Sequence, residues 1–333
     1  MGGGSFSDEV YKSSIKGEKA FKYSEEIKSK PRSEWKISQV LNPANLKVRE
    51  SRDSAEHPNS NAIIVGLDVT GSMSRVVVSV RDALGKLMNM LLKEKYISDP
   101  QILFCAVGDA TSDVFPVQIS QFESDNRIDD QIKEVVLEGS GGAFGEESYE
   151  LEFYVAAEHT SIDCWEKRKK KGYLFTIGDE EPYPEVKKYE VDKIFNVALQ
   201  KNVSTDATVK EAQKKYFTFH IIPYGSSGYG KQEIKNRWVK LLGGSQFVFE
   251  LKNPSLISET IALAIGLNEE RVSFKEGLEV ISKNSGQKSA EVIRLALSKF
   301  AESVGVSKKK PVSEIVTDTE KKKTEKKDKP GRI

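Results

Sequence analysis

Cysteine and histidine are scarce in this chain of 333 residues, which has two of the first and three of the second. Cys105 lies in an apolar run and Cys164 in an expected helix. Two isolated thiols make neither a disulfide framework nor a zinc site, so buried free thiols are the expectation. His57, His159 and His220 are far apart and show no ligand spacing, so they read as structural or exposed. Charge of one sign is missing too. The formal net charge is +1, which leaves no global field to draw nucleic acid or membrane. No apolar run is long enough to span a bilayer. The N-terminal MGGGSFSDEV lacks an apolar signal-type stretch, and Phe6 breaks the myristoylation pattern. A cytoplasmic location with no membrane partner is the expectation. What is present is 38% hydrophobic and 30% charged residues, which suits a folded core carrying polar extensions.

One stretch organises the rest. Asn61 to Ser74 reads NAIIVGLDVTGSMS. Ala62 to Leu67 is a short apolar run, as expected of a buried and parallel strand. Asp68, Thr70, Ser72 and Ser74 follow, and then Val76, Val80, Leu84, Leu87 and Leu91 recur at helical spacing. The polar cluster thus sits where a strand hands over to a helix. In open parallel sheets that end of a strand is where ligands bind. One carboxylate and two hydroxyls at alternate positions offer only hard oxygen donors, which suit magnesium, with manganese the close competitor. Gly71 lets the backbone turn tightly between them. The competing reading is a polar turn in which Ser72 or Ser74 caps the helix.

Further apolar runs repeat this alternation. Gln101 to Ala110 ends in Gly108 and Asp109. Val114 to Ser120 contains Pro116, which confines it to an edge. Ile128, Ile132, Val135 and Val136 have helical spacing. Glu138 to Glu150 is glycine-rich, but Glu146 and Glu147 stand where a phosphate loop would carry its lysine. A helix is expected from near Ser148 through His159, ended by the basic run Glu166 to Gly172, whose lysines would complement its dipole. Tyr173 to Ile177 is a buried strand with Gly178 and Asp179 at its carboxyl end. Helices are expected around Val191 to Leu199, Asp206 to Lys215, Gln232 to Leu242 and Pro254 to Leu267. Strands are expected at Tyr216 to Gly225 and Ser245 to Leu251. The alternation predicts an α/β fold: a doubly wound, mostly parallel sheet with helices on both faces and one antiparallel edge strand.

The organisation expected is a polar N-terminal extension over 1–60, a main domain over 61–268, a C-terminal helical segment over 269–306 and a tail over 307–333. Tyr11, Phe21, Tyr23 and Trp35 are expected to dock the extension on the core. Ile293, Ala296, Leu297 and Phe300 form one helical face. The lysine- and glutamate-rich tail has too few apolar residues to order itself.

Asp68, Thr70 and Ser72, inside DVTGSM, match the D-x-S/T-x-S motif of the metal-ion-dependent adhesion site, and the chain from about Ala62 to Leu267 resembles a von Willebrand factor A domain. The resemblance, to intracellular bacterial and phage members, implies a magnesium or manganese ion. It also implies that the glycine-rich loop brings a threonine to the metal. Here Glu147 stands at that position, with Ser148 as the neighbour that could serve instead. Asp179 matches the aspartate that completes the family's site. The implied function is divalent-metal-dependent protein binding, as an adaptor or assembly component. A partner's acidic side chain could take an open position on the metal, and AAA+ ATPases are partners of such members. No nucleic-acid partner and no catalytic activity are expected. The alternatives are a metal-assisted phosphohydrolase with Asp68 as nucleophile, and a nucleic-acid-associated protein acting through its basic tail. The first lacks a second acid two residues on and a cationic clamp. The second would show a steep salt dependence of binding.

Overall fold

The computed structural model describes residues 6, 7, 9, 10, 22–84, 86–139, 141 and 145–307. Tyr11, Phe21 and the tail from 308 onward lie outside the described residues.

A six-stranded sheet forms the centre. Its strands are β1 (Asn61–Asp68), β2 (Pro100–Val107), β3 (Val117–Ile119), β4 (Gly172–Ile177), β5 (Tyr216–Pro223) and β6 (Val248–Leu251). The spatial order is β6-β5-β4-β1-β2-β3. All pairings are parallel except β2 with β3, which is antiparallel and begins directly after Pro116. All eight residues of β1 are buried, as a strand covered on both faces requires. Ile63, Val65 and Leu67 point into one core, while Ala62 and Ile64 point into the other. This is a doubly wound α/β sheet. From β1 the chain winds outward through β2 and β3, then returns to the far side of β1 with β4. The switch point therefore lies between β1 and β4, and it opens at their carboxyl ends.

Helices on the first face are α1 (Val77–Leu84), α2 (Leu87–Lys93) and α3 (Ile257–Asn268). The helical stripe after Ser74 is thus split in two rather than continuous. α3 is buried on every side from Ile257 to Leu267. A helix apolar all round must be covered, and a C-terminal hairpin covers it. That hairpin comprises α4 (Phe274–Ser285) and α5 (Gln287–Ser307). The sequence pattern indicated only the second of these. Ser273 and Glu276 start α4 with a reciprocal capping box. Ile293, Leu297 and Phe300 bury into the core, and Phe300 meets Phe219 edge-on at 5.2 Å.

On the second face, α6 (Tyr149–Glu158) is buried along nearly its whole length, under α7 (Lys188–Phe195) and α8 (Thr205–Lys215), with α9 (Gln232–Leu242) alongside. The helix from Ser148 does not run into the basic segment as expected. It ends at Glu158, and a short strand (Thr160–Ile162) and a single helical turn (Asp163–Glu166) follow. The basic side chains are tied internally rather than arrayed at a helix end. Arg168 donates to Asp53 at 2.7 Å and to the Ser60 carbonyl at 2.6 Å. Lys170 pairs with Glu269 at 2.6 Å, and Lys167 with Asp163 at 2.6 Å.

The N-terminal segment docks, and among its described residues Tyr23 and Trp35 are not what anchors it. Tyr23 and Trp35 remain partly exposed. Leu41 and Leu46 are buried instead, one in each core. Arg49–Ser51 pairs in parallel with Thr160–Ile162, and the Leu41 carbonyl accepts the Ile119 N–H of edge strand β3 at 2.9 Å. Cys105 and Cys164 are buried free thiols. His220 is fully buried and stacks on Trp238 at 3.7 Å, and His159 stacks on Phe195 at 5.7 Å.

Candidate metal centre

The β1 strand ends at Asp68, and the chain turns at once into a tight helical turn, Gly71–Met73, with Thr70 before it. That turn curls the alternating side chains around one point. Asp68 Oδ1 accepts the Thr70 N–H at 2.8 Å and the Thr70 hydroxyl at 2.5 Å. Thr70 Oγ1 lies 3.2 Å from Ser72 Oγ. The Ser72 hydroxyl donates at 2.6 Å to Asp179 Oδ1, which comes from just beyond β4. The Gly228 N–H, from the loop after β5, donates to Asp179 Oδ2 at 2.7 Å. Asp68, Thr70, Ser72 and Asp179 therefore form one hydrogen-bonded chain across the switch point.

The electrostatics of this cluster ask for a cation. Asp68 and Asp179 are both fully buried. Among the described residues, neither forms an ion pair with a lysine or arginine. Burial, and then the charge of Asp179, push the Asp68 carboxyl up to about 7. Buried carboxylates are ordinarily paired or bound to metal, so a divalent ion among these oxygens fits the donor set. No three His, Cys, Asp or Glu side chains are grouped as a metal set among the described residues. A site of this composition instead draws half its donors from hydroxyls.

The second loop reaches the centre through a two-residue parallel ladder, Glu146–Glu147 with Glu181–Pro182. Glu147 is buried, at 2% exposure. A Cβ added to Gly141 would meet Glu147 Oε1 at 2.7 Å and Thr70 Cβ at 3.1 Å, so the carboxylate lies beside Thr70. It does not join Asp68 and Asp179 in a three-carboxylate group. Ser148 faces away, toward the loop after β2. Its Oγ accepts the Ala110 N–H at 2.9 Å. Asp109, at the end of β2, is closed on its own turn by Thr111 and Ser112 and by the Tyr183 hydroxyl at 3.1 Å.

Two participants escaped the sequence reading. The Tyr149 hydroxyl donates to Asp68 Oδ2 and accepts the Asp179 N–H at 3.2 Å. Burial, followed by the charges of Asp68, Asp179 and Glu147, holds this phenol well above its usual range and hence protonated. The other is the Gly228 amide. A Cβ there would stand 1.7 Å from the Asp179 carbonyl oxygen, so only glycine admits this approach. The glycines of YGSSGYGK were the available signal.

No protein-family model matches the chain, and no curated protein matches it. Among solved structures it is similar to the pilus adhesin SpaC from Lactobacillus rhamnosus GG in its open conformation. The TM-score is 0.47 at 9% identity, covering 63% of this chain and 30% of that one. It is similar to proximal thread matrix protein 1 from the mussel byssus, with TM-score 0.41, 11% identity, and 68% and 47% of the two chains covered. The same mussel protein with a zinc-occupied MIDAS motif gives TM-score 0.40 at 11% identity, with 69% and 47% covered. The chain thus spans less than half of each of these proteins.

Proposed function

We propose that the chain is a divalent-metal-dependent protein-binding domain of von Willebrand A type, acting in the cytoplasm as an adaptor or assembly component. The observation that carries this reading is the convergence of Asp68, Thr70, Ser72 and Asp179 from the ends of two adjacent parallel strands. Thr70 and Ser72 would offer hydroxyl oxygens to magnesium or manganese, and Asp68 and Asp179 would supply the balancing charge. When bound, the ion supplies a Lewis-acidic point that a partner's acidic side chain can reach. The protein's own part is to hold the oxygens in place and to keep bulk water away from the two acids. No helix of the described residues is long and apolar enough to cross a membrane. A component of an AAA+ ATPase assembly is the partner class that this reading favours.

The test is calorimetry with magnesium and manganese, together with capture of host proteins with and without chelator. Asp68→Ala is expected to abolish metal binding and to remove every chelator-sensitive partner. Equal metal binding by the variant would sink the proposal.

Glu147 tunes the same centre. A carboxylate beside Thr70 adds attraction for the ion and repels an incoming acid, and in a partly dry site one charge a few Å away shifts affinity by roughly tenfold. Glu147→Thr is expected to weaken metal binding by about that factor and to strengthen capture of a carboxylate-bearing peptide. Unchanged metal affinity would remove Glu147 from the centre.

A further inference from the structure

We propose that Tyr149 is a positioning residue of the metal centre, and that its hydroxyl fixes Asp68 and the Asp179–Glu180 backbone as one unit. The inference rests on the metal reading above. Tyr149 opens α6, and its side chain is fully buried. The hydroxyl donates to Asp68 Oδ2, which leaves Oδ1 turned to Thr70. The same oxygen accepts two backbone donors from the other loop, Asp179 N–H at 3.2 Å and Glu180 N–H at 3.4 Å. A single atom therefore joins the loop after β1 to the loop after β4.

The surroundings are built for that atom. Gly178 leaves the room, since a Cβ there would fall 2.1 Å from the Tyr149 hydroxyl. Trp238 meets the Tyr149 ring edge-on at 5.4 Å, and His220 does so at 6.1 Å. The Trp238 indole N–H in turn donates to the Glu180 carbonyl at 2.9 Å. Glu180 is thus held at both its N–H and its carbonyl by one aromatic cluster. Without the hydroxyl, Asp68 Oδ2 would lose its donor and the Asp179 and Glu180 N–H groups would lose this acceptor. Asp68 would then be held through Oδ1 alone, and the backbone that carries Asp179 would lose this anchor. Outer-sphere partners of this kind set ligand orientation, and their loss typically costs ten- to a hundredfold in metal affinity.

The experiment compares the full chain with Tyr149→Phe, Asp68→Ala and Phe153→Leu by manganese calorimetry, with thermal melts in chelator. Phe153 lies on the same helix and packs on Trp238 at 6.2 Å without touching the hydroxyl, so its variant reports loosening alone. Tyr149→Phe is expected to bind manganese ten- to a hundredfold more weakly, and Phe153→Leu as tightly as wild type. If Tyr149→Phe binds like wild type while Asp68→Ala does not bind, this inference falls and the metal reading stands. If Tyr149→Phe and Phe153→Leu weaken binding equally, the role is structural and the inference falls. If wild type binds no metal, both readings fall. A measurement without substitution guards against a variant that does not fold. Hydrogen exchange in wild type is expected to find the Asp179 and Glu180 amides protected even in chelator. Exchange at loop rates would overturn the bridge.

Discussion

Removing residues 1–51 is expected to leave the chain insoluble, or to lower its melting temperature by at least about 10 °C. The segment is a working part of the core. Ile27, Leu41 and Leu46 are buried at 6%, 0% and 3% exposure. Burying each such side chain stabilises by about 2 kcal/mol. Domains as a class are stable by only about 5–15 kcal/mol, so losing all three matters. Edge strand β3 suffers further. The Leu41 carbonyl and the Arg49 guanidinium, 3.0 Å from the Ile119 carbonyl, occupy both backbone groups of Ile119. Their removal exposes an unpaired edge, which is a template for aggregation. Calorimetry and light scattering on the truncated chain check this. A soluble monomer melting within about 2 °C of the full chain would show that the segment merely rests on the surface.

The central sheet was legible because its strands are buried on both faces and so read as short continuous apolar runs. Pro116 marked the edge for a simple steric reason, and the antiparallel strand starts at the next residue. The docking of the N-terminal segment was harder to place. Tyr23 and Trp35 drew attention as large apolar groups, yet each spends its polar atom on a local carbonyl, Lys36 and Lys30 respectively. The smaller Leu41 and Leu46 do the packing, and nothing local distinguishes them. The end of α6 was misplaced because Thr160–Ile162 contributes a strand to a pair whose partner lies more than a hundred residues earlier. Non-local pairing of that kind leaves no mark in periodicity.

At the centre itself, the short D-x-T-x-S spacing and the apolar strand before it made Asp68, Thr70 and Ser72 visible. Asp179 was visible by its place after β4. Glu147 is brought near by a ladder of two residue pairs, and Tyr149 by a hydroxyl reaching across the helix start. Both depend on tertiary geometry. The two glutamates that follow would be placed in solvent by any amphipathic rule. Instead Glu150 and Glu152 are buried at 0% and 1% exposure, because the long connection through α7 and α8 folds back over the helix.

Glu152 gives the protein a pH dependence that can be signed in advance. Its carboxyl lies against the backbone of Gly66 in β1, where an added Cβ would collide with it. Oε2 accepts the Thr176 hydroxyl at 2.8 Å, and Oε1 has no hydrogen-bond partner among the described residues. Cys105 faces it from β2, and burial keeps its thiol neutral. Burial pushes Glu152 up to about 8 from the ordinary 4.5. The folded state therefore holds a proton that the unfolded chain releases above about 4.5. The stabilisation is fully present below that value, erodes as pH rises, and is gone beyond about 8. At about 1.4 kcal/mol per pH unit the loss is on the order of 5 kcal/mol, a large share of a domain's stability. Glu152→Gln keeps the acceptor for Thr176 and carries no proton to lose. Urea unfolding from pH 5 to 9 is expected to show wild type losing stability steeply and the variant losing less. The gap should widen in the variant's favour up to about pH 8. Parallel curves for the two proteins would mean that Glu152 ionises in the folded state as easily as in water, and would overturn this account of its place against Gly66.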